Sequence, residues 1–405
     1  MLRGYLDMVV IKIFGLCLSV ILLGNAPASA AMIRQYCAPE GMQGEPLQLF
    51  LASNVDAQQA ALQRNSSLQQ GEILFSTREG DALFHRTRME PGDCVLVNLQ
   101  ERMRLTPVAV SSASVSSARQ ERISKKTFFP VVFFVQKTKA KQYGLLGEQV
   151  LRRLRRTRRR QDVTTADLLK VPGAPDLVLI YIFCPPDRSS PCDLTIKQHN
   201  RWLLDQKTGR KFHLSVLARS VRDGRPSRGS RRIRINHDTP QGIYTIWGTM
   251  IGGGDSSWFQ TARIDLDAAL PPINAQPYPL NSFLLSRIVP AEALDDYWIN
   301  EWPLAYSLGR IALRIAPGDF EAQQNPSLQS DRSGSLFHPT HGCINTGDQQ
   351  GQLLQILLEA GVFHKEDLIA PLGTTGKKWS VSPKLGKAFV IIKDRERDDD
   401  SGKGR

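Results

Sequence analysis

Nine residues near the C-terminal end of the chain, Phe337-His338-Pro339-Thr340-His341-Gly342-Cys343-Ile344-Asn345, place one cysteine beside two histidines. A cysteine attacks as the thiolate, and a neighbouring imidazole can take its proton and later return it to a leaving amine. Gly342 has no side chain, so a substrate carbonyl can come close and be held by adjacent backbone N–H groups. The stretch therefore indicates a site with Cys343 as the nucleophile.

Two other roles fit the same residues. Cys343 can be a buried thiol without chemistry, which is the usual fate of a cysteine outside a disulfide. His338, His341 and Cys343 are also of the types that bind zinc. A structural zinc site needs a fourth ligand, however, and no second cluster of cysteines and histidines follows in the sequence. We therefore expect no metal here.

The six residues Thr340-His341-Gly342-Cys343-Ile344-Asn345 resemble the signature of the L,D-transpeptidase family, the YkuD-type enzymes that remodel peptidoglycan. That signature has Ser or Thr, His, Gly, Cys, an apolar residue, and Asn or Arg. Upstream, Thr239-Pro240-Gln241-Gly242 is similar to the family's Thr-Pro-x-Gly segment, which precedes a strand near the active site. The resemblance implies a mostly β (α+β) fold, an L,D-transpeptidase-like β-sandwich with a small helix, and no cofactor.

The resemblance also implies a two-step reaction on peptidoglycan stem peptides. Cys343 would attack the peptide carbonyl of a tetrapeptide stem and expel the terminal D-amino acid. An amine of a neighbouring stem would then open the thioester and form a cross-link, or water would open it, as in an L,D-carboxypeptidase. His341, Gly342 and Thr340 would shape the loop and its oxyanion hole, and Asn345 would fix the loop by bonding backbone.

One residue of the family pattern is missing. The family places a further histidine, its general base, about 17 to 20 residues before the Ser or Thr of the signature, and residues 320–323 are Phe, Glu, Ala and Gln. His338 is the best substitute for this base, and Glu321 is the other candidate. A wall-binding or scaffolding domain that kept the fold and lost the base is the competing hypothesis. Arg314, on the strand predicted at 311–315, either binds a substrate carboxylate or is an ordinary strand-edge arginine.

Residues 1–30 are typical of a secretory signal peptide. Arg3 and Lys12 flank the start, an apolar run covers 13–23, and Ala28-Ser29-Ala30 is a small-residue cleavage site. A retained N-terminal anchor is the alternative. We expect an exported protein that acts in the periplasm or the cell wall.

Export changes the interpretation of the cysteines, because an oxidising compartment favours disulfides. Five cysteines remain after cleavage, and an odd number leaves one over. Cys184 and Cys192 bracket a turn-rich loop that can close into a bridge, and Cys37 and Cys94 can pair within the N-terminal part. Cys343 is then the odd thiol, as a nucleophile must be. The parity is consistent with this pairing but does not prove it.

The formal charge of the whole chain is +13. Residues 1–30 contribute Arg3 and Lys12 against Asp7, so the mature protein has +13 − 1 = +12. A basic exported protein meets anionic walls and lipid surfaces, and no nucleic acid is expected as a partner. Seven of the nine residues in Arg152–Arg160 are arginine. This run is either a solvated linker or an electrostatic anchor to an anionic wall or membrane surface.

These features divide the chain into a signal peptide (1–30), a mostly β accessory domain of unknown function (31–145), an arginine-rich linker (146–173), an L,D-transpeptidase-like catalytic domain (174–394) and a charged tail (395–405). Continuous apolar runs at 177–183 and 388–392 predict buried strands, and 348–360 predicts a helix. A long insertion contains aromatic residues that either pack in the core or form a lid, namely Trp258, Tyr278, Trp298 and Trp302.

Overall fold

The first half of the chain folds into an antiparallel sheet of short strands. The computed structural model of the protein describes residues 33–41, 47–52, 75–77, 83–107, 126–137, 141–158, 160–186, 188, 190–219, 221–222, 225–226, 232, 238–251, 262–266, 287–307, 313–317, 343–368 and 378–396. The strands described in the first half are β1 (Ile33–Cys37), β2 (Leu47–Ala52), β3 (Phe75–Thr77), β4 (Leu83–Met89), β5 (Cys94–Asn98), β6 (Leu105–Pro107), β7 (Phe128–Phe134), β8 (Lys141–Gly147) and β9 (Arg155–Thr157). They pair in the order β6-β3-β4-β2-β8-β7-β5-β1-β9.

Both faces of this first sheet are buried, because apolar residues occupy consecutive positions of its central strands. Successive side chains of a strand point to opposite faces. Val95 and Val97 lie on one face, in a cluster that Leu154 joins from the segment after β8. Leu96 and Val132 lie on the other face, and they belong to the same apolar core as the second half of the chain. The two halves therefore share a core.

The second half forms a second sheet around two buried strands. The described strands are β10 (Val178–Cys184), β11 (Cys192–Gln198), β12 (Arg201–Trp202), β13 (His213–Val216), β14 (Val221–Arg222), β15 (Arg225–Pro226), β16 (Gly242–Ile251), β17 (Arg263–Leu266), β18 (Leu313–Ala316), β19 (Ile344–Asn345), β20 (Lys378–Val381) and β21 (Ala388–Asp394). Ten of these form one sheet. Eight follow the path β12-β11-β10-β21-β16-β17-β18-β19, and β13 pairs with β11 and β20 with β16. β14 and β15 pair with each other.

The apolar runs at 177–183 and 388–392 become β10 and β21, as the sequence predicts. These two strands run parallel, with Ile180 opposite Val390, and both of these side chains are fully buried. β18 and β19 are also parallel, whereas β16 is antiparallel to both of its neighbours on the path. The prediction of a mostly β fold with few helices is confirmed.

Four α-helices are described, α1 (Glu148–Leu151), α2 (Thr165–Lys170), α3 (Tyr297–Ser307) and α4 (Gln350–Glu359). The predicted helix at 348–360 is α4, preceded by a 3₁₀ turn at Gly347–Gln349. Its residues Leu353, Leu354 and Leu357 are fully buried, and Gly361 ends the helix with a positive φ of 70°. None of the helices in the described part of the chain has the length and apolar character that a membrane span requires.

Helix α3 packs between the two sheets. On the side of the first sheet, Asn98 Nδ2 donates to the Tyr297 hydroxyl at 3.1 Å, and the Tyr143 hydroxyl donates to Asn300 Oδ1 at 3.2 Å. On the side of the second sheet, the ring of Trp302 lies 5.0 Å from that of Tyr244, between centroids. The aromatic residues of this insertion that are described are thus core residues and not a lid. Trp258 and Tyr278 lie outside the described residues.

The segment 146–173, predicted as a linker, contains regular structure. Its first element is α1, which directly follows β8. β9 then pairs with β1, with Arg156 opposite Tyr36, so these residues form the edge of the first sheet. Helix α2 begins with a capping box, in which Thr164 and Asp167 bond each other's backbone N–H. The position of the domain boundary stays a prediction.

Both predicted disulfides are present. Cys37 and Cys94 join β1 and β5, where they stand directly opposite each other, and Cys184 and Cys192 close the loop between β10 and β11. Disulfides form and persist in oxidising compartments, so the two bonds fit an exported protein. Residues 1–30, the predicted signal, lie outside the described residues.

A buried network of opposite charges connects α3 with the second sheet. Arg232 contacts Glu301 of α3 through Nε at 2.7 Å, and it also contacts Asp394 at the end of β21. Arg188 Nη1 lies 2.9 Å from Asp394 Oδ1. Gln241 Nε2 donates to Glu301 Oε2 at 3.0 Å. Burial alone would lower the pKa of Arg232, but the attraction of Asp394 and Glu301 raises it above its usual value.

Asp296 ties the start of α3 to the segment before α2. Its Oδ2 accepts from Val163 N at 2.7 Å and from Trp298 Nε1 at 3.2 Å. Burial first, and the nearby Asp162 carboxylate second, raise the pKa of Asp296 to about 6.

Arg232→Met is expected to destabilise the protein strongly, because it leaves the buried Glu301 carboxylate without its arginine and beside an apolar side chain. Loss of one partner of a buried ion pair costs roughly 3–5 kcal/mol. Urea unfolding followed by tryptophan fluorescence measures the change. The exposed Arg201→Gln is the control, with an expected change within about 0.5 kcal/mol. A loss below about 1 kcal/mol in Arg232→Met would show that the network does not hold the fold.

Asp296→Asn is expected to change the pH dependence of stability. The folded pKa of about 6 lies above the ordinary 3.8, so the stabilising contribution of Asp296 is complete below pH 3.8 and is lost as pH rises through 6. Asparagine keeps an acceptor and carries no charge. The variant should therefore gain roughly 1–2 kcal/mol over the parent between pH 4 and pH 7, after allowance for solvent screening.

Urea unfolding at several pH values tests this expectation. Asp295→Asn, at the exposed neighbouring carboxylate, controls for the pH dependence of the denaturation itself. A difference between Asp296→Asn and the parent that stays constant from pH 4 to pH 8 contradicts the assignment.

Candidate functional site

Three of the residues predicted for the site, Cys343, Asn345 and Arg314, belong to the described part of the chain. His338, Thr340, His341 and Gly342 lie outside it, as does Glu321. The geometry of the site is therefore that of the cysteine, the strand that follows it and the segments that flank this strand.

The strand after the cysteine, β19, is held on both sides. It runs parallel to β18, with Ile315 opposite Ile344. On its other side Asn345 and Leu217 exchange two backbone hydrogen bonds, Leu217 N to Asn345 O and Asn345 N to Leu217 O, each 2.8 Å long. Two residues that exchange both backbone hydrogen bonds in this way form a hydrogen-bonded pair of an antiparallel ladder. Cys343 therefore precedes a strand whose position is fixed from two directions.

The same segment connects the cysteine stretch with the Thr-Pro-x-Gly segment. Leu217 bonds Asn345, and the carbonyl of the next residue, Ala218, accepts from Thr239 N at 3.2 Å. Thr239 is fully buried, and its carbonyl accepts from Arg188 Nη2 at 3.2 Å. The two motifs, about a hundred residues apart in the sequence, thus lie on either side of one short segment, Leu217-Ala218.

Asn345 bonds backbone, as the sequence predicts for it. Its side chain is fully buried, and its Oδ1 accepts from Gly347 N at 2.7 Å. This contact closes the turn between β19 and the 3₁₀ helix that leads into α4. The residue therefore helps to hold the chain immediately after the cysteine.

Two positioning residues were not foreseen from the sequence. The Thr346 hydroxyl donates to Gln350 Oε1 at 2.6 Å, and Gln350 Nε2 donates to the carbonyl of Ala262 at 2.7 Å. Thr346 N also donates to the carbonyl of Ala316, the last residue of β18, at 3.1 Å. Two buried polar residues four positions apart at a helix start are a local signal. Their partners are Ala262, just before β17, and Ala316, at the end of β18, and the sequence does not indicate these contacts.

The two faces of this part of the sheet differ. Ile315 and Ile344 are fully buried and belong to the shared apolar core. Arg314 precedes Ile315 on β18, so its side chain lies on the opposite face and is partly exposed. Cys343 directly precedes β19 and is also partly exposed.

This arrangement can support nucleophilic chemistry. Cys343 is a thiol, takes part in neither disulfide and is partly exposed. An accessible thiol can react as the thiolate, which is the nucleophilic form of cysteine. Among the residues that the structure describes, no group of three His, Cys, Asp or Glu side chains is arranged to hold a metal ion.

Iodoacetamide without reductant is expected to modify Cys343 and to leave the four disulfide cysteines, Cys37, Cys94, Cys184 and Cys192, unmodified. Peptide mapping by mass spectrometry measures the modified sites. Urea-denatured, unreduced protein is the control, and it should show the same pattern because both bridges survive unfolding. Recovery of Cys343 in a disulfide as the main form would contradict this assignment.

The resemblance of the sequence to the L,D-transpeptidase signature rests on the motifs themselves. Comparison of the chain with protein-family models, with curated proteins and with solved structures finds no match.

Proposed function

We propose that this protein is a cysteine acyltransferase, an L,D-transpeptidase that acts on peptidoglycan stem peptides. The observation that supports this function best is the junction of the two motifs. The Leu217-Ala218 segment bonds Asn345 on one side and Thr239 on the other. Residues that resemble one family's signature at two distant places in the sequence are thus held together beside a partly exposed thiol.

In the proposed reaction the Cys343 thiolate attacks the carbonyl carbon of the penultimate residue of a tetrapeptide stem. The C–N bond breaks, the terminal D-amino acid leaves as an amine after it takes a proton, and a thioester remains on Cys343. The amine of a second stem then attacks the thioester, forms a new amide and returns the thiol. Backbone N–H groups near Gly342 would stabilise the oxyanion of each step. A rigid position for the nucleophile contributes through proximity.

The proton in both steps needs a base, which the family supplies from an upstream histidine that this chain lacks. His338 is the proposed substitute, because it lies five residues before Cys343 in an irregular segment that contains a proline. His341 is proposed to orient the loop and to lend a backbone N–H to the oxyanion hole. Both histidines lie outside the described residues, so this assignment rests on the sequence.

The second candidate is an L,D-carboxypeptidase, in which water replaces the acceptor amine. A third is a wall-binding or scaffolding domain without turnover, which the missing upstream histidine favours. The first two share the acyl-enzyme on Cys343, whereas the third never forms it. The acyl-enzyme is therefore the species that separates the classes.

The proposed location is the periplasm or the cell wall, with an anionic surface as a further partner. The described arginines of the Arg152–Arg160 run are all exposed, namely Arg152, Arg153, Arg155, Arg156, Arg158 and Arg160. Two of them belong to β9, the last strand at one end of the first sheet. A row of exposed guanidinium groups at a sheet edge can bind anionic polymers or lipid headgroups.

Intact-mass measurement with a purified tetrapeptide stem tests the proposed reaction. The expected result is an acyl adduct on the parent protein and loss of the terminal residue from the peptide. Cys343→Ala should show neither change, and it should also lose labelling by a carbapenem-type β-lactam. When an amine acceptor is added, a new amide product indicates cross-linking, whereas the shortened peptide acid alone indicates hydrolysis. Absence of both the adduct and the shortened peptide with the folded parent would leave only the scaffolding hypothesis.

His338→Ala is expected to slow acylation by at least about a hundredfold, since loss of a positioned base typically costs roughly 10²–10⁴-fold. Glu321→Gln is the matched control at the family spacing, and it should acylate at the parent rate. The reverse result, with a normal rate in His338→Ala and a slow one in Glu321→Gln, would move the base to Glu321 and leave the nucleophile assignment intact.

A further inference from the structure

The backbone pairing of the second sheet forms a closed ring. The path from β11 through β10, β21, β16, β17 and β18 ends at β19, and β13 pairs with β11. Leu217, the residue after β13, exchanges two backbone hydrogen bonds with Asn345 of β19. This pair, called the closure below, joins the far end of the path back to β13 and β11.

The closure is the thinnest part of the ring. In the part of the chain that the structure describes, the two hydrogen bonds of the closure are the backbone contact between the end of β13 and β19, whereas β10 and β21 pair along seven residues. A fold opens locally where few hydrogen bonds hold the chain, so we expect the ring to open first at the closure. Cys343 directly precedes β19, so the candidate nucleophile lies next to this point.

The disulfide between Cys184 and Cys192 braces one side of the closure. Cys192 is paired with Val216, the last residue of β13, and Leu217 follows directly. Cys184 is the last residue of β10 and stands opposite Asp394 of β21. The bridge therefore ties the strand end beside the closure to the middle of the ring.

The loop that this disulfide closes reaches the closure by a second route. Arg188 lies in the loop, and its fully buried guanidinium donates from Nη2 to the carbonyl of Thr239 at 3.2 Å. Thr239 N in turn donates to the carbonyl of Ala218, the residue after Leu217, at 3.2 Å. The disulfide thus supports the same short segment through β13 and through Arg188.

The second route depends on the loop keeping its conformation. Burial lowers the pKa of Arg188, and the Asp394 carboxylate, 2.9 Å from its Nη1, opposes this effect. A loop without its cross-link has more conformations available, and those that place the guanidinium in water avoid the cost of its burial. The cross-link restricts the loop and so favours the buried position.

We propose that the Cys184–Cys192 disulfide is a redox-sensitive clamp on the closure, and that the candidate site is held in place only in the oxidised protein. The bond forms by exchange with a disulfide oxidant: the two thiols lose two electrons and two protons, and the oxidant's own disulfide is reduced to two thiols. An exported chain would gain the clamp on reaching an oxidising compartment. The effect of the clamp on the closure is independent of the proposed function, whereas its effect on acylation rests on that function.

Hydrogen exchange followed by mass spectrometry tests the clamp without any enzymatic activity. The bridge variant, Cys184→Ala/Cys192→Ala, is compared with the control variant, Cys37→Ala/Cys94→Ala, and exchange in β21 reports opening of the whole sheet. Relative to β21, the N–H groups of the closure should exchange at least about tenfold faster in the bridge variant than in the control variant.

The control variant is matched because it also loses one disulfide. That disulfide joins residues 57 apart in the sequence rather than 8, so its loss should weaken the whole fold at least as much. It lies in the first sheet, between β1 and β5. Equal relative exchange at the closure in the two variants would overturn the clamp.

Reduction of protein that is already folded gives the same test if the bridge variant does not fold. The control variant is treated with dithiothreitol in the lowest urea concentration that lets the Cys184–Cys192 bond be reduced, with oxidised protein in the same urea as the reference. Exchange at the closure should rise on reduction and fall back after reoxidation with oxidised glutathione. Unchanged exchange in protein whose Cys184 and Cys192 are shown by alkylation to be thiols would contradict the proposal.

Acylation by a purified tetrapeptide stem tests the consequence for the site. The bridge variant should acylate at least about tenfold more slowly than the control variant, because a displaced nucleophile loses the advantage of proximity. Equal acylation rates together with faster exchange at the closure would overturn the effect on the site. No acylation of the parent would disprove the proposed function, and the exchange result alone would then decide whether the clamp exists.

Discussion

The architecture depends on the ion pairs of the buried Arg232 guanidinium. The guanidinium faces Glu301 of α3 and Asp394 at the end of β21, and Gln241, just before β16, bonds the same Glu301 carboxylate. One charge cluster thus fixes the helix between the sheets against two strands of the second sheet. Removing two charges from water is expensive, so such a cluster is stable only when each member keeps its partners. The site around Cys343 is built on the sheet that this cluster organises.

The parts of the fold that were predicted correctly are those with a local signal. Continuous apolar runs gave β10 and β21, the run at 348–360 gave α4, and parity of the cysteines pointed to the two disulfides. Helix α3 was missed because its contacts, to Asn98 and Tyr143, come from the other half of the chain. Arg188 was not expected in the core either, since an arginine is buried only when distant carboxylates meet it.

The candidate site also has one part that the sequence predicts and one part that it does not. The cysteine and its neighbours form a contiguous motif, so they could be found by inspection. The backbone bridge between Leu217 and Asn345 depends on contact between segments far apart in the sequence. Neither composition nor motif spacing reports such a contact. The contact between Leu217 and Asn345 therefore could not be predicted before the fold was known.

The position of β21 has a consequence for the order in which the strands of the second sheet can pair. This strand is the last one in the described chain, yet it lies in the middle of the second sheet, between β10 and β16. Strands that meet across more than two hundred residues form late, because a long loop must close before the contact contributes. A chain made from its N-terminus cannot complete this sheet until residue 394 has emerged. Until then the second sheet lacks the strand that joins β10 to β16.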